Sequence, residues 1–178
     1  MKEQVLRKAK AFQKVNELTM KGEIVIFGST YMANFPFYEL INKCELECAV
    51  YNRSIEGMTW EEASVLLDDC VLALKPAKIF LAVEDDAPFH TDKVALCRNI
   101  VHRIRKVLSS TQIYLVCLSD EAARHSASWC EQEELTQIDL TDYAQTGTQS
   151  YRAQFKKLSC HFHQKRVSMG EAFSLANL

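Results

Sequence analysis

Three stretches of this sequence gather side chains that could do chemistry. The first is Gly28-Ser29-Thr30, which closes the apolar run Glu23-Ile-Val-Ile-Phe and is followed, with no turn residues between, by Tyr31-Met-Ala-Asn-Phe-Pro-Phe-Tyr-Glu-Leu40. A buried strand running into a Gly-small-hydroxyl turn and then a helix presents a reactive side chain at the carboxyl end of a sheet. Such a hydroxyl attacks only with a base and an oxyanion stabiliser beside it; otherwise it merely closes a turn. The second stretch is Cys160-His161-Phe162-His163, which reads either as a zinc-ligating or thiolate-imidazole set or, more simply, as unrelated positions. The third is Glu84-Asp85-Asp86 with Asp92 beyond it. Those carboxylates would suit a hard cation, or form a solvated loop in which like charges raise one another's pKa. No Gly-rich ligand loop accompanies them, so the loop reading is preferred, and neither a metal nor a cofactor is expected. His90, His102 and His125 have no partner evident in the sequence.

Several elements must position these residues. Val5, Leu6, Ala9, Phe12, Val15 and Leu18 recur at helical spacing, which predicts an amphipathic helix over residues 2–19, stopped at Lys21-Gly22. Besides the run ending at Gly28, short apolar runs at Leu46–Tyr51, Lys78–Val83, Gln112–Leu118 and, more weakly, Thr136–Leu140 read as buried strands. Helical text fills Phe37–Lys43, Thr59–Leu74 and Thr91–Leu108; the second opens on the capping box Thr59-x-x-Glu62 and closes before Pro76. The 119–135 stretch reads as helix or surface loop. Alternating strands and helices predict an α/β protein whose parallel sheet is covered on both faces. With 178 residues, five Gly, three Pro and no low-complexity segment, one domain over 1–178 is expected.

A net charge of −2 gives no electrostatic drive toward nucleic acid or an anionic membrane, so neither partner is expected. The first ten residues lack the apolar core of a secretion signal and no segment is long enough to span a bilayer, which predicts a cytoplasmic protein. Seven cysteines, an odd number scattered through the elements, suit reduced and mostly buried thiols; Cys44 and Cys48 lack a second ligand pair at zinc spacing.

Taken together, Lys21-Gly-Glu-Ile-Val-Ile-Phe-Gly-Ser-Thr30, Phe35-Pro-Phe, Val50-Tyr-Asn-Arg-Ser-Ile-Glu-Gly57 and Val71-Leu-Ala-Leu-Lys-Pro-Ala-Lys-Ile-Phe-Leu81 resemble the GDSL/SGNH hydrolases. The nearest likeness is to cytosolic esterases similar to the platelet-activating-factor acetylhydrolase catalytic subunits. The resemblance implies a flavodoxin-like three-layer α/β/α sandwich with a five-stranded parallel sheet and its site at the carboxyl ends of the strands. The family uses a Ser in Gly-Asp-Ser, a Gly N–H after the second strand, an Asn amide after the third, and an Asp-x-x-His pair near the C-terminus. Carried over, these imply Thr30 at the nucleophile, Ser29 at the Asp beside it, Ser54 at the Gly and Asp86 at the Asn. His163 falls at the base and Cys160 at the acid that orients it.

An ionised Asp86 would repel a developing oxyanion, and Cys160 cannot orient an imidazole as a carboxylate does. These departures favour a non-catalytic or very weakly active pseudoenzyme that binds a small ligand in a pocket lined by Ser29, Thr30, Ser54, Asp86 and His163. The alternative is a divergent esterase or acylhydrolase of short acyl or acetyl esters, with Thr30 as nucleophile and His163 as base. The resemblance further implies a homodimer.

Overall fold

The structure, a computed structural model, describes residues 1–42, 46, 48–82, 91–141 and 148–162, without the side chains of 91, 92, 148 and 149. Glu84, Asp85, Asp86, His90 and His163 lie outside the described residues, as does Cys44.

The apolar runs form β1 (Ile24–Gly28), β2 (Val50–Asn52), β3 (Lys78–Ala82), β4 (Gln112–Cys117) and β5 (Thr136–Asp139). They pair in parallel in the order β2-β1-β3-β4-β5. A sheet covered on both faces needs apolar residues at successive positions, and β1 and β3 are buried throughout. Val25, Phe27, Ile79 and Leu81 project to one face. There they meet α1 (Glu3–Asn16), α4 (Trp60–Cys70), α5 (Thr91–Val107) and α6 (Asp120–Gln132). Ile24, Ile26, Phe80 and Val116 project to the other, toward α2 (Thr30–Ala33), α3 (Phe37–Ile41) and α7 (Thr148–Ser159). The result is the expected three-layer α/β/α sandwich.

The local chemistry explains most boundaries. Thr59 Oγ1 accepts from the Glu62 N–H while Glu62 Oε2 accepts from the Thr59 N–H, so the capping box starts α4. Glu62 Oε1 also accepts the Lys2 N–H at 2.7 Å, tying the start of α1 to that of α4. The helical text beyond Cys70 tightens into a 3₁₀ turn, Leu72–Leu74, ended by Lys75 in the left-handed region at φ 46°. β2 is shorter than its apolar text, beginning at Val50 rather than Leu46.

Two further elements go beyond the sequence reading. The 119–135 stretch is α6, capped by Ser119 Oγ, which accepts from the Ala122 N–H. Helix α7 was not anticipated at all, although Tyr151, Phe155 and Leu158 carry helical spacing and the last two lie in the core. Cys70, Cys97, Cys117 and Cys130 are buried free thiols, and burial pushes Cys70 and Cys130 up to about 12. Among the described residues, no helix is long and apolar enough to cross a membrane.

Candidate active-site crevice

From β1 the chain turns to β2 on one side, then crosses to β3 on the other, so the connections of β1 and β3 diverge at their carboxyl ends. In such sheets that divergence opens a crevice for ligands. Gly28 sits at its base because nothing larger fits: an added Cβ would lie 2.1 Å from the Ala82 carbonyl oxygen. The close approach lets the Ser29 N–H donate to Ala82 O at 3.2 Å, while the Ile55 N–H donates to Gly28 O at 2.9 Å. The strand ends of β1 and β3 and the loop after β2 are thereby locked together.

Of the two hydroxyls in the turn, Thr30 is exposed and Ser29 is buried at 2% exposure. Thr30 opens α2, and its Oγ1 accepts the Gly57 N–H at 3.0 Å. Gly57 has φ 70°, a left-handed conformation that glycine adopts without a Cβ penalty. The Thr30 carbonyl accepts both the backbone N–H and the Nδ2 of Asn34, at 3.1 and 3.0 Å.

Ser54 is buried beside this turn, and its N–H donates to Asn52 Oδ1 at 3.0 Å. Asn52 is itself held by its Nδ2, which donates to Met32 O at 2.8 Å. The N–H that the resemblance assigns to an oxyanion hole is therefore engaged within the loop. Ser54 Oγ is buried and finds no hydrogen-bond partner among the described residues. The intervening Arg53 is also buried; its Nε donates to Asn16 Oδ1 at 2.8 Å and its guanidinium lies 5.1 Å from the Phe12 ring and 5.3 Å from that of Tyr51. Burial lowers its pKa from the ordinary arginine value, and Arg53 Nη2 has no partner among the described residues. Sequence reasoning missed both Arg53 and Asn52, although Asn52-Arg53-Ser54 stood inside a quoted motif.

A cleft of about 660 Å³ opens next to Ser54. One wall is the solvent face of α1, with Gln4, Arg7, Lys8 and Ala11 at one helical stripe; the other is Ala33, Asn34 and Tyr38. The structure places Ser29, Thr30 and Ser54 at one edge of the sheet, and of the three only Ser54 lines this cleft.

It does not bring Cys160 there. Helix α7 starts near the carboxyl edge, where the Tyr31 hydroxyl donates to Gln154 Oε1 and the Tyr31 ring lies 6.3 Å from that of Tyr151. It ends at the amino edge, where Lys78 Nζ, on the first residue of β3, donates to His161 O at 2.7 Å and Cys48 Sγ, before β2, donates to Phe162 O at 3.3 Å. Cys160 closes α7, with its thiol donating to Lys156 O. The level of Lys78 is four strand residues from that of Ala82, about 13 Å at ~3.3 Å per residue. The His161 ring lies 5.0 Å from that of Tyr114, tilted by 49°, and burial, with the Lys78 charge, lowers its pKa. Cys160, which the resemblance sets at the acid of the family pair, is thus carried by α7 to the edge opposite Thr30, while His163 lies outside the described residues.

No protein-family model matches the chain, and no curated protein matches it. Solved structures do. A protein from Streptococcus pneumonia described as a platelet activating factor aligns at TM-score 0.72 and 14% identity, covering 90% of this chain and 94% of that one. A GDSL-like lipase from Bacteroides thetaiotaomicron aligns at TM-score 0.60 and 10% identity over 80% of this chain and 82% of its own. A catalytic mutant of an acetylxylan esterase from Geobacillus stearothermophilus aligns at TM-score 0.59 and 13% identity over 83% of this chain and 99% of its own. Likeness at such low identity speaks for architecture, and in architecture this chain has the GDSL/SGNH hydrolase fold.

Proposed function

We propose that the protein is a small-ligand-binding pseudoenzyme built on this hydrolase fold, without effective ester hydrolysis. The observation that carries the reading is the course of α7: the helix leads away from Thr30, so the segment that reaches its far end, Cys160-His161, cannot serve a base-and-acid role at the crevice. Residues 142–147, between β5 and α7, lie outside the described residues; in sequence they read Asp142-Tyr-Ala-Gln145, an Asp-x-x-Gln where the family has Asp-x-x-His. A glutamine amide cannot take up the proton of a hydroxyl at neutral pH. Support comes also from Thr30, whose hydroxyl already accepts the Gly57 N–H, and from Ser54, whose N–H is engaged by Asn52. Triad members act as a unit, so a hydroxyl left without its base confers little rate.

The exposure of Thr30 at the start of α2 favours one second reading, a divergent esterase of short acyl or acetyl esters. Hydrolysis of p-nitrophenyl acetate separates the two. The pseudoenzyme reading expects one background rate for the parent and Thr30→Ala; a rate that Thr30→Ala abolishes overturns it. We further propose a cytoplasmic, homodimeric protein without membrane or nucleic-acid partners, in line with its net charge of −2. Light scattering on the purified protein tests the dimer.

A further inference from the structure

We propose that the cleft between α1 and the α2–α3 segment binds a small organic anion, its acid group on Arg7 and Lys8 and a planar apolar body against Phe12 and Tyr38. The proposal rests on the reading of the protein as a ligand binder and names the chemistry of what it binds.

The cleft's charge is lopsided. Arg7 and Lys8 line one wall, and Glu56 is the sole acidic residue lining it among the described residues. Arg7 forms no hydrogen bond or ion pair with another described residue, and Lys8 only places its ammonium 5.0 Å from the Phe12 ring. Directly behind Phe12 stands Arg53, a buried guanidinium with Asn16 on Nε and an unpartnered Nη2. Two cations, Lys8 and Arg53, thus flank the Phe12 ring and Arg7 lines the same cleft, and no carboxylate bonds to any of the three among the described residues. Buried arginines are ordinarily paired with an acid. This field favours an anion from outside.

Besides Glu56, the polar lining supplies donors. Asn34 Nδ2 donates to Thr30 O and keeps a second N–H; Gln4 offers an amide; and Ser54, 3% exposed, borders the cleft, its buried hydroxyl without a partner among the described residues. A guanidinium, an ammonium, amide N–H groups and a hydroxyl together suit carboxylate or phosphate oxygens. Apolar surface is supplied by Phe12, Ala33, Ile55 and Tyr38, the last 63% exposed although it is an aromatic ring. The volume, about 660 Å³, lies within the range that holds small organic ligands. The stripe Gln4-Arg7-Lys8-Ala11 turns away from the core positions Val5 and Ala9, and both of its cations are exposed.

The test is titration calorimetry on the full chain with three probes that share one ring system: 1-naphthoate, 1-naphthyl phosphate and the neutral 1-naphthamide. Either acid, or both, is expected to bind at least about tenfold more tightly than the amide, and more weakly as salt is raised. The two acids distinguish a carboxylate from a phosphate ligand. The double variant Arg7→Ala, Lys8→Ala, at exposed positions that leave the fold intact by circular dichroism, is expected to bind the preferred acid at least about tenfold more weakly while its affinity for the amide stays the same. Equal affinity for acid and amide, unchanged affinity in the double variant, or no heat from either acid at about 5 mM overturns the proposal. p-Nitrophenyl acetate hydrolysis on the same samples keeps the outcomes apart: a Thr30-dependent rate sinks the pseudoenzyme reading, whatever the acid-against-amide comparison gives.

Discussion

A hydroxyl is a nucleophile by virtue of its neighbours, and Thr30 has structural ones. Its bond from the Gly57 N–H joins the β1 turn to the loop after β2, so Thr30→Ala should cost about 1 kcal/mol of stability in urea unfolding, the usual net worth of one such bond. Thr30→Ser should restore most of that loss; a serine variant as unstable as the alanine one would show that the bond carries no weight. The sequence located Thr30 and Ser54 because they stand inside contiguous motifs, but it could not show Gly57 or Asn52 as their partners, since those bonds depend on how β2 meets β1. The same limit hides Glu133, on which Arg98, His102 and Arg105 converge from α5. The hydrogen bond with His102, with those from the arginines, holds the Glu133 carboxyl below its ordinary pKa. A depressed carboxyl stabilises the fold above its unfolded-state pKa and loses that stabilisation as pH falls through the folded one. Glu133→Gln should therefore be less stable than the parent at pH 7, with the gap closing as pH falls below about 4. A gap that is constant from pH 7 to about 3 contradicts this.

At the scale of elements, what could be read was what burial writes into sequence. Strands covered on both faces must be continuously apolar, which made β1, β3 and β4 plain, and Thr59-x-x-Glu62 marked α4 because a capping box is a local motif. The apolar text of edge strand β2 starts four residues before the strand because its pairing, with β1 alone, begins only at Val50, a non-local fact. Helix α7 escaped notice because polar Thr148-Gln-Ser and Lys156-Lys157 dilute the stripe of Tyr151, Phe155 and Leu158. The tightest demand on any element falls on Gly28. Its missing Cβ permits the β1–β3 approach, and the atom in the way is a backbone carbonyl that cannot swing aside. Gly28→Ala should destabilise by on the order of 3 kcal/mol or more, read from the shift in urea midpoint at constant slope. A loss under about 1 kcal/mol would mean that the strands separate at little cost.

For the whole molecule, the sheet order decides which parts of the chain can meet. Among the described residues, the turn after β1 and the loop after β2 meet at Thr30's edge, and α7 carries the chain to the opposite edge. On the proposed reading, the position for a catalytic pair is the Asp142-Tyr-Ala-Gln145 stretch between β5 and α7 rather than Cys160. Two repair sets separate these placements. Thr30→Ser and Asp86→Asn, common to both, return an uncrowded nucleophile and a neutral donor in place of a repelling carboxylate. Adding Gln145→His supplies an imidazole three residues after Asp142, and this set should raise p-nitrophenyl acetate hydrolysis at least about tenfold over the parent, because the missing member of a cooperative unit has been returned. Adding Cys160→Asp instead should leave the parent's rate, since that carboxylate stands roughly the length of a strand away from the serine. Hydrolysis in the Cys160 set, or a folded Gln145 set no faster than the parent, would show that the edge was misassigned or that the crevice has lost more than its catalytic atoms.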